Sequence, residues 1–192
     1  MEFLAIFLAF IIPLAWTPGP VNITLAAMGT TNGFKQSLKL ILGLNVAFML
    51  QSLATGLGLA RLFSLYPFSF IVIKSVGVAY LLYLAYKISQ MKLQDKKIPL
   101  DFSNGFILSL LNPKVYMTLV LMFTQFKNQS ETFGGIFFLS ALAMSFFFVG
   151  NALWSLFGSS LRRFIANETV FVLQKYVFAL LLCGVAVYMA LH

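Results

Sequence analysis

The chain has 192 residues, 60% of them hydrophobic and 9% charged, where an ordinary soluble domain carries roughly a quarter charged residues. Its mean hydropathy of +0.93 excludes a small soluble globule, because a core of this size needs a polar shell. The net charge of +8 is read as loops that stay on the cytoplasmic side of a membrane, not as a nucleic-acid surface.

Six apolar runs reach the length of roughly 20 residues that a helix needs to cross the hydrocarbon. They lie at about 3–28, 38–60, 68–90, 104–126, 133–157 and 171–191. Stretches such as Phe137-Phe138-Leu139-Ser140-Ala141 do not alternate apolar with polar, as strands of a barrel would. Helices are then the backbone that satisfies every N–H and C=O within the segment.

The first run is predicted to be a retained span. A cleavable signal wants a basic start and a small-residue cleavage site, whereas only Glu2 is charged before Lys35. Inside this run stands Thr17-Pro18-Gly19-Pro20-Val21-Asn22. Each proline lacks an N–H and clashes with the carbonyl four residues back, so the helix must break. Carbonyls freed in lipid are tolerated only against protein or a wet cavity. Thr17 and Asn22 supply hydrogen-bonding side chains beside the break.

The second run carries Asn45 and Gln51 and the third Gly77-Val78-Ala79. The polar stretch from Gln90 to Asp101, with Lys92, Asp95, Lys96, Lys97 and Pro99, separates three spans from three. Three is odd, so two copies in one chain would insert in opposite orientation. Such inverted repeats place a substrate site near the midplane, where they meet. The expected organisation is one domain over 1–192: a first repeat at about 1–90, a cytoplasmic loop at about 91–103 and a second repeat at about 104–192. Gly43 and Gly150 are separated by the same interval as Gly77 and Gly184, a trace of that duplication.

The fourth run breaks at Leu111-Asn112-Pro113-Lys114. Counting from Asn104 at 1.5 Å per residue, Lys114 lies roughly 15 Å into the membrane. Paired breaks in matching spans point to a transport site, and the free N-terminus of each second half-helix suits a carboxylate. Lys114 is expected to face that carboxylate; snorkelling to the interface is its alternative. The fifth run carries Asn151 and the sixth Cys183. Asn45, Gln51 and Asn151 either line a cavity or tie helices together. The glycines are expected at close helix contacts, and Trp16 and Trp154 at an interface belt or in the core.

Placing both termini outside puts Lys35, Lys39, Lys87, Lys92, Lys96, Lys97, Arg162, Arg163 and Lys175 at the cytoplasmic side, leaving Arg61, Lys74 and Lys127 opposite. Glu2, Asp95, Asp101, Glu131 and Glu168 all fall at span ends or in loops. No acidic ring or metal site is expected, nor a cofactor, and with a lone Cys183 and a lone His192 no disulfide within the chain. An intramembrane enzyme would need a nucleophile–base pair or metal ligands in the spans.

Trp16-Thr17-Pro18-Gly19-Pro20-Val21-Asn22, Asn32-Gly33-Phe34-Lys35-Gln36-Ser37, Gly77-Val78-Ala79-Tyr80-Leu81-Leu82-Tyr83-Leu84-Ala85-Tyr86-Lys87 and Leu111-Asn112-Pro113-Lys114 resemble the LysE/RhtB family of amino-acid exporters. Gly33-Phe34-Lys35-Gln36-Ser37, Ala47-Phe48 and Gly150-Asn151-Ala152-Leu153-Trp154 are closest in pattern to its cysteine/O-acetylserine exporters. The resemblance implies six helices in two inverted repeats, in the bacterial inner membrane, with proton-driven efflux of amino acids or derivatives. Val21 interrupts the usual proline–asparagine step, and Phe48 stands where many members carry an acidic or polar residue. A neutral solute fits that better than lysine.

The reading is therefore an all-α exporter of neutral amino acids or derivatives, with protons as coupling ion, the bilayer as solvent and a homodimer left open. The candidate substrate-binding residues are Thr17, Pro18, Gly19, Pro20, Asn22, Asn45, Asn112, Pro113, Lys114 and Asn151. A non-transporting membrane subunit or scaffold, packed solid at both breaks, is the alternative.

Overall fold

A computed structural model describes residues 2–59, 65–90, 100–161 and 168–191. Arg61, Lys92, Asp95, Lys96, Lys97, Pro99, Arg162, Arg163 and His192 lie outside the described residues. The described chain is helical: α1 (Glu2–Trp16), α2 (Pro20–Asn32), α3 (Phe34–Ala54), α4 (Pro67–Ser89), α5 (Phe102–Leu110), α6 (Pro113–Gln125), α7 (Phe133–Leu161) and α8 (Glu168–Leu191). A π-turn at Thr55–Leu59 prolongs α3, and a 3-10 turn at Lys127–Ser130 leads into α7.

Three helical stretches are long and apolar enough to cross a membrane: Phe34–Gly58, Ile71–Ser89 and Phe133–Leu161. Two further pairs, α1 with α2 and α5 with α6, pass the same test together, and each pair is bent by 60°. The bends fall in the first and fourth runs, at the prolines that cannot continue a helix. The last run contributes a shorter apolar helical stretch, Lys175–Leu191.

Burial is inverted relative to a soluble protein. Leu180, Phe68 and Leu191 are at least 70% exposed on the outer surface, while Thr24, Ser37, Ser52, Ser140 and Ser155 are fully buried. The outer surface suits hydrocarbon, and most of the buried polar groups find partners inside, as when the hydroxyl of Ser52 donates to that of Ser140 at 2.7 Å; the Ser155 hydroxyl has none among the described residues.

α3 packs on α5, α2 on α7 and α4 on α8. Small residues set the first two contacts. A Cβ on Gly43 would strike the carbonyl of Phe102, and one on Gly105 the carbonyl of Leu40. At the other crossing Gly29 abuts the carbonyl of Ser155, and Gly158 that of Ala26. Helices associate in lipid through such close backbone approach, because no hydrophobic force separates tails from side chains. At Gly58 and Gly184, where close contact is also expected, a Cβ would meet nothing within 4 Å among the described residues.

Two devices fix the chain between helices. Gly33, at φ 81, turns α2 into α3, a conformation that favours glycine. Asp101 caps α5: its carboxylate accepts from Ser103 and Asn104, and the Asn104 side chain accepts from the Asp101 N–H in return. The Ser103 side chain, then the Asn104 backbone, hold this carboxyl below its usual range.

Candidate functional site

The two breaks meet. The ammonium of Lys114, in the first turn of α6, donates to the Thr17 hydroxyl at 2.9 Å and to the Thr17 carbonyl at 3.2 Å. One contact therefore joins the end of α1 to the start of α6, across 97 residues of sequence.

Prolines deprive the carbonyl four residues back of its helical donor, and at Pro20 and Pro113 the replacement can be followed. Pro20 has no N–H for the carbonyl of Trp16, four residues back; the indole N–H of Trp154, on α7, donates there at 3.1 Å. Pro113 likewise has none for the carbonyl of Ser109. There the amide of Gln51, on α3, donates at 3.2 Å, and the Ser109 hydroxyl returns a bond of 2.9 Å to the Gln51 side-chain oxygen. A side chain from a long helix thus donates at each break, at Ser109 beside the Asn112 N–H, which reaches the same carbonyl at 3.0 Å. The Asn22 side chain bonds the carbonyls of Thr17 at 2.8 Å and Ala15 at 3.4 Å. The carbonyls of residues 15, 16 and 17, freed by the break, all have partners.

The two half-helix starts differ. On α6 the Asn112 side-chain oxygen accepts from the Lys114 N–H at 3.1 Å. On α2, Gly19 is the N-cap and no side chain caps the helix. Its first-turn amides are thus the uncapped donors of the pair, at the positive end of a helix dipole.

A small internal cavity lies at this junction. Ala15, Gly19, Pro20, Val21, Asn22, Leu44, Asn45, Phe48, Ser109, Asn112, Lys114, Val115, Phe147 and Asn151 line it. It offers about 30 Å³ to water centres, room for roughly one or two waters. The structure thus gathers Gly19, Pro20, Asn22, Asn45, Asn112, Lys114 and Asn151 around one space. Thr17 joins them through Lys114. Pro18 and Pro113 face instead a larger apolar groove of about 820 Å³ between the breaks and α8, which Gly19, Pro20 and Lys114 also line.

One atom in the cavity wall is conspicuous. Asn45 is 6% exposed; its NH2 donates to the carbonyl of Ile41 at 2.7 Å, but its side-chain oxygen accepts from no group among the described residues. Buried acceptors are almost always paired.

Residues that sequence reasoning left out of the site include Gln51, Ser109 and Trp154. Their signal was readable for the carbonyls alone: a proline at a known position names the acceptor four residues earlier. Which side chain reaches it is a tertiary fact. Among the described residues, His, Cys, Asp and Glu nowhere gather in groups of three that could hold a metal ion.

Broken, polar-lined helices inside a bundle with an apolar exterior define a multi-pass membrane transporter. The model of the LysE type translocator family matches residues 12–192, and the chain belongs to that family; it is not an enzyme. It is similar to the cysteine/O-acetylserine efflux protein of Salmonella paratyphi A (strain ATCC 9150 / SARB42), 32% identical over 171 residues that cover 83% of this chain and 84% of that protein. The protein of the same name from Escherichia coli O157:H7 is 28% identical over 165 residues, with the same coverage. No solved structure matches the chain.

Proposed function

We propose that this protein exports a small neutral amino acid or amino-acid derivative, of the cysteine/O-acetylserine type, across the bacterial inner membrane in exchange for protons. The observation that carries the reading is the unpaired Asn45 oxygen in the cavity where the two breaks meet. A buried acceptor beside this space can receive a donor, and the ammonium of an amino acid is one that would displace any water there. Thr17 adds a hydroxyl and a carbonyl on the same side of the junction. The carboxylate docks on the uncapped start of α2, beside Lys114, whose Nζ lies 3.5 Å from where a Cβ on Gly19 would stand. Asn22, Asn112 and Asn151 complete the polar wall, and Phe48 with Phe147 supplies an apolar one suited to a small uncharged side chain.

A cavity of about 30 Å³ is smaller than an amino acid, so the helices around it must part to admit the solute. Two inverted repeats, 1–90 and 104–192, rocking on the α3–α5 and α2–α7 contacts supply that motion. Both termini lie outside in this reading, with α8 as the sixth span. The bare Asn45 oxygen distinguishes the exporter from a scaffold packed solid at its breaks.

The test is efflux from proteoliposomes preloaded with a panel of amino acids, cysteine and O-acetylserine among them. Neutral solutes are expected to leave and lysine to stay. Asn45→Leu removes an acceptor for a charged donor, worth about 1.5–3 kcal/mol, and is expected to weaken apparent affinity roughly 10- to 100-fold. Unchanged affinity in Asn45→Leu would remove the amine subsite, and a wild type that moves no amino acid would remove the reading.

A further inference from the structure

We propose that Lys114 is the proton-coupling group: in the empty carrier its ammonium occupies the acceptors of Thr17 that the solute's own ammonium needs, so that loading solute expels a proton. The inference rests on the exporter reading and names the residue that reading leaves unassigned.

Three observations lead to it. The first is the contact itself. The Lys114 ammonium takes both the hydroxyl and the carbonyl of Thr17, and no carboxylate pairs with it among the described residues. A lysine inside a span is expensive and is normally balanced by an acid or a functional partner. Here its partners are neutral oxygens, the same acceptors a free amino group would choose.

The second is position. Gly19, Pro20 and Lys114 line both the closed cavity and the 820 Å³ groove. Lys114 therefore stands in the wall between the site and the groove, and it must leave Thr17 for that wall to open.

The third is the lack of a competitor. The titratable groups facing Lys114 can be taken element by element. The groove brings Lys74 from α4 and Tyr188 from α8. Tyr116 is its neighbour on α6, and Tyr80 of α4 lines a small void with Leu111 and Asn112 at the break. The α1–α2, α3, α5 and α7 walls of the cavity contribute no titratable side chain. Every other titratable group named is a phenol or a second lysine, so Lys114 is the base that touches both break and cavity.

The cycle balances. Solute entering from the cytoplasm places its ammonium on Thr17 and Asn45. The solute's ammonium displaces that of Lys114 from Thr17, and beside this second positive charge the Lys114 ammonium gives its proton to cytoplasmic water and becomes the neutral amine. The solute carboxylate is held by the uncapped first-turn amides of α2. After release outside, the amine takes a proton from external water, regains Thr17, and the empty carrier returns. One solute moves out as one proton moves in, and because the solute is a net-neutral zwitterion, one positive charge moves inward per cycle.

The experiment is calorimetry of solute binding to the purified full chain, repeated in buffers of different ionisation enthalpy, with pH-gradient-driven efflux measured alongside. The wild type is expected to release about one proton per solute bound near neutral pH. Lys114→Met, which keeps the length without the amine, is expected to bind more weakly, to release no proton, and to export without response to a pH gradient. Lys114→Arg, which stays charged, is expected to hold Thr17 permanently and lose solute binding at least about tenfold, 1.4 kcal/mol. Solute binding by the wild type with no proton release overturns the inference and leaves the exporter reading standing, as does proton release that persists in Lys114→Met. Failure of the wild type to bind or move any amino acid overturns both. The calorimetric arm needs no variant, so misfolding of Lys114→Met leaves the inference decidable.

Discussion

A proline in a membrane span takes the helical donor from the carbonyl four residues back, and at two such carbonyls in this chain a side chain from another helix donates. Gln51 serves Ser109 and Trp154 serves Trp16. Gln51→Leu removes that donor and also strips the Ser109 hydroxyl of its acceptor. Buried hydrogen bonds between membrane helices average about 0.6 kcal/mol and reach about 1.7, so a loss of about 1 kcal/mol is expected. The Gln51→Leu, Ser109→Ala double variant should lose less than the sum of the singles, because both bonds belong to one pair. Unfolding in mixed micelles measures this, and full additivity would mean that the two side chains do not support each other.

At the scale of elements, the bent pairs are held by long straight helices that press on them through glycine. A Cβ on Gly105 meets backbone, which cannot rotate away as a side chain can. Gly105→Ala should push α5 off α3 and destabilise the protein by about 1–3 kcal/mol, the usual range for overpacking. Gly184→Ala fills open space, so its folded yield and melting temperature should match the wild type. Equal behaviour of the two variants would show that the α3–α5 approach is not tight. Both glycines sit in apolar runs, and periodicity treats them alike; only the neighbour's backbone separates them.

For the whole molecule, the contacts α3 on α5 and α2 on α7 join the first half of the chain to the second, while the groove beside α8 stays open. The basic residues Lys35 and Lys39 lie exposed at the start of α3. Lys127 follows α6 at the other end. In a Cys183→Ser background, Lys39→Cys should be shielded from a membrane-impermeant maleimide added to intact cells, and Lys127→Cys should react. The reverse pattern would invert the proposed orientation.

The sequence by itself determined that this is an α-helical membrane protein and where its helices must break. Both follow from local chemistry: apolar length sets a span, and clustered Pro and Gly end a helix where the single Pro13 inside α1 does not. Thr17-Pro18-Gly19-Pro20 and Asn112-Pro113 announced their bends without any knowledge of neighbours. Only the tertiary structure decided that the bends meet, that Lys114 rests on Thr17, that Trp154 and Gln51 supply the missing donors, and that Asn45 keeps a bare acceptor in the cavity. Those facts depend on which face of each helix is turned to which partner. In a chain this uniformly apolar, hydropathy does not encode that choice; close backbone packing and the pairing of buried polar groups do.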